Sequence, residues 1–106
     1  MKRLLFVCSK NQLRSPTAEA VFAEHPDFDV LSAGLNKDSA NPVTPDELQW
    51  ADIIFVMENA HKARLRRNFS HWLKDKRVIC LDIPDNYEFM APELIQILER
   101  KVSRVL

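Results

Sequence analysis

The chain has 106 residues, enough for one domain that buries a core without disulfide or metal staples. Hydrophobic residues make up 46% and charged residues 28%, the balance of an ordinary globular protein. Fifteen basic and fifteen acidic side chains cancel to zero net charge, which removes the electrostatic footprint of a general nucleic-acid binder.

The opening apolar run, Leu4 to Val7, is too short for a signal-peptide core or a membrane span, so a cytoplasmic chain with no membrane contact is expected. Two cysteines, Cys8 and Cys80, suit a reducing compartment and cannot form a disulfide scaffold. His25, His61 and His71 lack the spacing of zinc ligands, and neither a metal nor another cofactor is expected.

Arg3 to Val7 reads as a buried first strand. Ser15 and Pro16 then suit the N-cap and first position of a helix that runs to about Glu24, before Pro26. Phe28 to Ala33 alternates and stops at Gly34, which predicts a second strand, and a polar loop spans Asn36 to Pro42. Thr44-Pro45-Asp46-Glu47 is a capping box opening a short helix to about Trp50. Asp52 to Met57 is apolar on both faces and predicts a central strand of a parallel sheet. A basic helix over Asn59 to Phe69, a strand over Arg77 to Leu81, a polar loop from Pro84 to Glu88 and a helix from Pro92 to about Ser103 complete the order. Strands alternating with helices predict an α/β fold in three α/β/α layers around a four-stranded parallel sheet, with residues 1–106 forming a single domain. Ligands on such sheets bind outside the carboxyl ends of the strands.

The loop Cys8-Ser9-Lys10-Asn11-Gln12-Leu13-Arg14-Ser15 lies at that end of the first strand. A cysteine, five residues, an arginine and a hydroxyl compose a loop suited to phosphate. Loop amides and the following helix N-terminus converge on an anion, and the same partial positive charge favours a cysteine thiolate beneath it. Arg14 can grip two phosphate oxygens bidentately, and the Ser15 hydroxyl can donate to the Cys8 sulfur. Ser9, Lys10, Asn11, Gln12, Leu13 and Ser15 are therefore candidate substrate-binding residues around Cys8 and Arg14.

The run VCSKNQLRSPTAE resembles the nucleophile loop of the low-molecular-weight protein tyrosine phosphatases. Ser32-Ala33-Gly34 and the stretch from Val43 to Leu65 extend the likeness along most of the chain. The resemblance implies the phosphotyrosine phosphatase I-like fold, and a phosphomonoester hydrolase that forms a cysteinyl phosphate on Cys8. Its partner would be a phosphorylated substrate, either a phosphotyrosine protein or a small phosphomonoester. Family members are usually longer, and the shortening falls between Gly34 and Val43, where they carry a loop and helix that help form the substrate cleft.

Cleavage also needs a proton on the leaving oxygen, and the carboxyls after the last strand are Asp82 and Asp85. The family's acid loop often reads Ile-Pro-Asp-Pro-Tyr, so Ile83-Pro84-Asp85-Asn86-Tyr87 implies Asp85 as general acid and base, with Tyr87 as a wall of the cleft. Asn86 departs from the family proline, Lys10 from its glycine and Leu13 from a second cysteine found in many relatives. With glycine missing from the loop, Asn11 is expected to supply the left-handed backbone, and Lys10 to add charge at the pocket mouth. Cys80 is expected in the core, Trp50 and Trp72 as packing residues, and the basic helix as a solvated face. The alternatives are a catalytically lapsed phosphate-binding module, a phosphocysteine carrier, and an arsenate reductase. Arg14 argues against the carrier, and the lack of a cysteine relay beyond Cys80 argues against the reductase.

Overall fold

The computed structural model describes residues 1–106. Four parallel strands, β1 (Lys2–Cys8), β2 (Phe28–Gly34), β3 (Ile53–Val56) and β4 (Arg77–Cys80), form one sheet in the order β2-β1-β3-β4. The connecting helices are α1 (Arg14–Phe22), α2 (Pro45–Trp50), α3 (Asn59–Phe69) and α4 (Pro92–Ser103), with a 3-10 turn over Ser70–Leu73 that the sequence pattern did not announce. This is the α/β architecture expected from the strand-helix alternation, and no helix is long and apolar enough to cross a membrane.

Strand periodicity divides the core into two layers. Leu4, Phe6 and Cys8 of β1 join Ile53, Phe55 and Met57 in a cluster with Ala18 and Phe22 of α1 and Leu94, Leu98 and Val102 of α4. Leu5 and Val7 point the other way, with Ile54 and Val56, onto Leu48 of α2 and Leu65 of α3. Every residue of β3 is buried, as its unbroken apolar run requires of an interior strand. Burial of each such side chain contributes about 1.5–3 kcal/mol.

Two features aim this scaffold at one end of the sheet. Phe6 stacks on Phe22 with ring centroids 5.6 Å apart and on Phe55 at 5.0 Å, which ties α1 to β1 and β3. In the β1–β2 register Cys8 lies opposite Gly34, at the carboxyl ends of both strands. The chain leaves β1 toward β2 on one side and reaches β3 on the other, so the direction of sheet growth reverses at β1. Crevices at such reversals are where open α/β sheets bind ligands.

Three local expectations change. Helix α1 starts at Arg14 with Leu13 as its N-cap, so Ser15 is not the cap, and it ends at Phe22, short of Glu24. Ser15 is instead fully buried and turned toward the sulfur of Cys8. Cys80 is half-buried on the edge strand β4 rather than enclosed, because an edge strand has a neighbour on one side only. Trp50 and Trp72 do pack on the α2/α3 layer. The capping box of α2 forms as expected, with Thr44 and Glu47 exchanging side-chain and backbone hydrogen bonds.

Candidate active site

Cys8 ends β1 with its side chain 4% exposed beneath the start of α1. Its Sγ lies 2.9 Å from Ser15 Oγ and accepts the Asn11 backbone N–H at 3.2 Å. Asn11 has φ 55°, the left-handed conformation expected in the absence of a loop glycine. Its side-chain amide donates to Ser15 Oγ and to Ser32 Oγ, both at 2.9 Å, and Ser32 in turn donates to Glu19. This buried chain of polar groups is fully paired, which holds the loop in a single shape.

The backbone of the loop is braced from outside. Leu35, Asn36 and Ala40 donate their N–H groups to the carbonyls of Cys8 at 2.9 Å, Ser9 at 2.9 Å and Lys10 at 3.2 Å. The short segment between Gly34 and Val43 therefore holds the carbonyls outward. The amides of Ser9, Lys10, Gln12 and Leu13 have no acceptor within the protein, leaving them available to an anion. Gly34 makes the brace feasible, since a Cβ there would sit 2.2 Å from Ser39 Oγ and 2.9 Å from the Ser9 carbonyl oxygen.

Arg14, 3% exposed, is held by one nitrogen. Nη1 donates to Glu58 Oε2 at 2.6 Å and to the Ile83 carbonyl at 2.7 Å. Nε and Nη2 keep no hydrogen-bond partner, although Nε stands 3.6 Å from Asp85 Oδ1. The Arg14 bond holds the Glu58 carboxyl below its ordinary value, against the opposing effect of burial. His61 is shifted down chiefly by burial, with Arg14 adding to it. The ring of His61 accepts the Glu58 backbone N–H at Nδ1, 3.2 Å away, and meets Ser9 Oγ at Nε2, 3.0 Å away.

A cleft of about 110 Å³ opens above Cys8, lined also by Ser9, Lys10, Gln12, Leu13, Arg14 and Asp85. It brings together residues from opposite ends of the chain. Asn11 and Ser15 lie beneath it as supports rather than along its wall. Asp82 is exposed and outside the lining, with φ 56° and its carbonyl bonded to Lys101 Nζ at 3.0 Å. Tyr87 is half-buried against the α1/α4 core and does not line the cleft, contrary to the expected wall. The segment folds back where Met90 donates its N–H to Thr17 Oγ1 at 2.9 Å, and the tyrosine ring is sheltered from water there. No group of three or more His, Cys, Asp or Glu side chains converges as a metal-binding set.

Glu58 and His61 were not singled out as site residues from the sequence. Their signal was positional: they open the helix after the central strand, at the ligand-binding edge of the sheet.

Residues 3–46 match the family model described as low molecular weight phosphotyrosine protein phosphatase. That segment, similar to the family, holds Cys8, Arg14 and Ser15. Solved structures share the fold. SP-PTP, a low molecular weight protein tyrosine phosphatase from Streptococcus pyogenes, superposes with a TM-score of 0.80 over 100% of this chain and 94% of that one, at 18% identity. YwlE arginine phosphatase from Geobacillus stearothermophilus gives 0.77 over 99% and 93%, at 23% identity. The tyrosine phosphatase Wzb from Escherichia coli K30, in complex with phosphate, gives 0.78 over 98% and 95%, at 19% identity. No curated protein sequence matches the chain.

Proposed function

We propose that this protein hydrolyses phosphate monoesters, with protein phosphotyrosine as the substrate class, through a cysteinyl phosphate on Cys8. The observation that carries the reading is the single cleft in which Cys8, the open edge of Arg14 and Asp85 meet. Phosphate enters over the unpaired loop amides, and Arg14 holds it through Nε and Nη2. The Cys8 thiolate attacks phosphorus in line while the ester P–O bond breaks, and protonated Asp85 gives its proton to the leaving oxygen. Asp85, now a carboxylate, takes a proton from water; that water attacks phosphorus, the P–S bond breaks and phosphate departs. Ser15 Oγ and the Asn11 amide stabilise sulfur as nucleophile and as leaving group.

The narrow cleft supports an aryl ester. Its volume of about 110 Å³ is well below that of a pocket for a drug-sized molecule, so only the phosphate and the adjoining group enter. Cys8 is buried at its base, within reach of a phosphate carried on a long, flat phenol. Leu13, 38% exposed, gives the rim an apolar side for the ring.

Turnover of p-nitrophenyl phosphate by wild type and by Cys8→Ser, Arg14→Ala and Asp85→Asn tests the chemistry. Wild type is expected to be active and the Cys8 variant inactive. Activity surviving loss of Cys8 would sink the mechanism. A panel of phosphotyrosine peptides, phosphoarginine peptides and small phosphomonoesters tests the substrate, and turnover confined to phosphoarginine would refute the tyrosine assignment.

A further inference from the structure

We infer that His61 is a positioning residue that turns the Ser9 hydroxyl into a hydrogen-bond donor aimed into the cleft, adding a side-chain contact to the phosphate beyond those of Arg14 and the loop amides. The inference rests on the reading that phosphate lies over Cys8, and it concerns how that phosphate is held.

The direction of each hydrogen bond follows from its donors. Glu58 N–H can only donate, and it points at His61 Nδ1 from 3.2 Å. Nδ1 must therefore carry a lone pair, which places the proton of the neutral ring on Nε2. Nε2 faces Ser9 Oγ at 3.0 Å, whereas the nearest Glu58 carboxylate oxygen is 3.8 Å away. The imidazole consequently donates to Ser9, and Ser9 Oγ accepts. Its own hydroxyl hydrogen is left to point elsewhere, and no other atom of the protein hydrogen-bonds to that oxygen. Ser9 lines the cleft, so the free hydrogen can turn toward a phosphate above Cys8.

The ring is held in this state by its surroundings. His61 is 3% exposed, and Arg14 and Arg64 oppose a positive charge there, while the Glu58 and Asp85 carboxylates favour one. Burial is the largest of these influences and keeps the ring neutral at neutral pH. The same helix start thus serves two anchors: Glu58 orients Arg14 through its carboxylate, and its backbone N–H sets the histidine tautomer that orients Ser9.

The test measures binding of inorganic phosphate by titration calorimetry on the full chain, which needs no turnover. Wild type, Arg14→Ala, Ser9→Ala, Ser9→Thr, His61→Phe and the Ser9→Ala/His61→Phe double variant are compared. Ser9→Ala is expected to weaken phosphate binding about tenfold, the worth of one hydrogen bond to a charged acceptor. His61→Phe should weaken it by a similar factor, the double variant no further, and Ser9→Thr should restore most of the affinity. Nitrogen-15 NMR of His61 should show the neutral ring with hydrogen on Nε2, and the Nε2 signal should move on adding phosphate in wild type but not in Ser9→Ala. A Ser9→Ala variant that binds phosphate as wild type does, or a His61 proton on Nδ1, would overturn the inference while leaving the phosphate site intact. These two readouts decide the matter even if His61→Phe does not fold. A wild type that binds no phosphate, or whose binding ignores loss of Arg14, would remove the underlying reading as well.

Discussion

The loop from Cys8 to Ser15 and the segment from Asp82 to Met90 face each other across one cleft and are held in opposite ways. In the first, Cys8, Asn11, Arg14 and Ser15 are each less than a tenth exposed; Cys8, Asn11 and Ser15 are hydrogen-bonded to one another, to Ser32 and to the brace from Leu35 to Ala40, and Arg14 is held through Nη1 by Glu58 and the Ile83 carbonyl. In the second, the Asp85 side chain is 60% exposed and touches the site only through the 3.6 Å approach to Arg14. Under the proposed function, the difference follows from what each loop would do, the first cradling phosphate and the second supplying the acid and base. An anion cradle stabilises charge best when its dipoles are oriented before the substrate arrives. An acid and base must exchange protons with water, which requires access to solvent.

This contrast can be broken or sharpened by experiment, beginning with chemistry. Arg14→Ala should abolish phosphate binding and lower kcat/KM by on the order of 10³-fold, because the strongest fixed charge of the cradle is gone. Asp85→Asn should leave phosphate binding near the wild-type level. It should lower kcat by about 10²-fold for alkyl phosphates and less for p-nitrophenyl phosphate, whose leaving group needs little help from a proton. Equal losses of phosphate affinity in the two variants would erase the distinction between cradle and acid.

Stability should divide along the same line. Asn11 and Asp82 both have left-handed backbone, at φ 55° and 56°. Asn11→Ala should cost about 3 kcal/mol, since it adds backbone strain and strands the buried hydroxyls of Ser15 and Ser32. Asp82→Ala, at an exposed site, should cost about 1 kcal/mol from the backbone alone. Urea midpoints of the two variants check the ratio, and similar losses would mean that the Asn11 network adds nothing. Gly34→Ala should cost about 1–3 kcal/mol by pushing Ser39 and the Ser9 carbonyl away. It should also weaken phosphate binding, whereas an alanine change at exposed Asn86 should do neither.

The smallest effect is expected with pH. Glu58 and His61 both take up protons less readily in the fold than their ordinary values of 4.5 and 6.5 indicate. The unfolded chain therefore binds the protons first as pH falls, and stability declines from about pH 6.5 downward for His61 and from about 4.5 downward for Glu58. Above both ordinary values the contributions are fully present. Glu58→Gln should flatten the lower part of a plot of melting temperature against pH, and an unchanged acid slope would show that the Glu58–Arg14 bond makes no net contribution.

Much of this molecule was legible in its sequence. The strands Lys2–Cys8, Phe28–Gly34 and Ile53–Val56 follow from apolar runs that admit little besides buried or half-buried strands. The capping box at Thr44 needed only residues three apart. The left-handed Asn11 followed from the lack of a loop glycine, since asparagine tolerates that backbone better than its neighbours do. Cys8, Arg14 and Ser15 were legible as a group because a loop between a strand and a helix fixes their proximity through local chain geometry.

What depends on distant contact was not legible. Ser15 reads locally as a cap, but the turn at Leu13 starts α1 earlier, and the hydroxyl serves the sulfur and Asn11 instead. Tyr87 reads as a cleft wall until Met90 anchors its segment to Thr17 and the ring turns onto the core. The placement of Asp85 rather than Asp82 beside Arg14 depends on the path of an exposed loop, which no periodicity records. Glu58 and His61 reach Arg14 and Ser9 only because β1 and β3 pair in register. Local spacing and hydrophobic pattern determined the frame and the cradle. The partners that orient the cradle lie across strand pairings, whose register is set by the packing of the whole core.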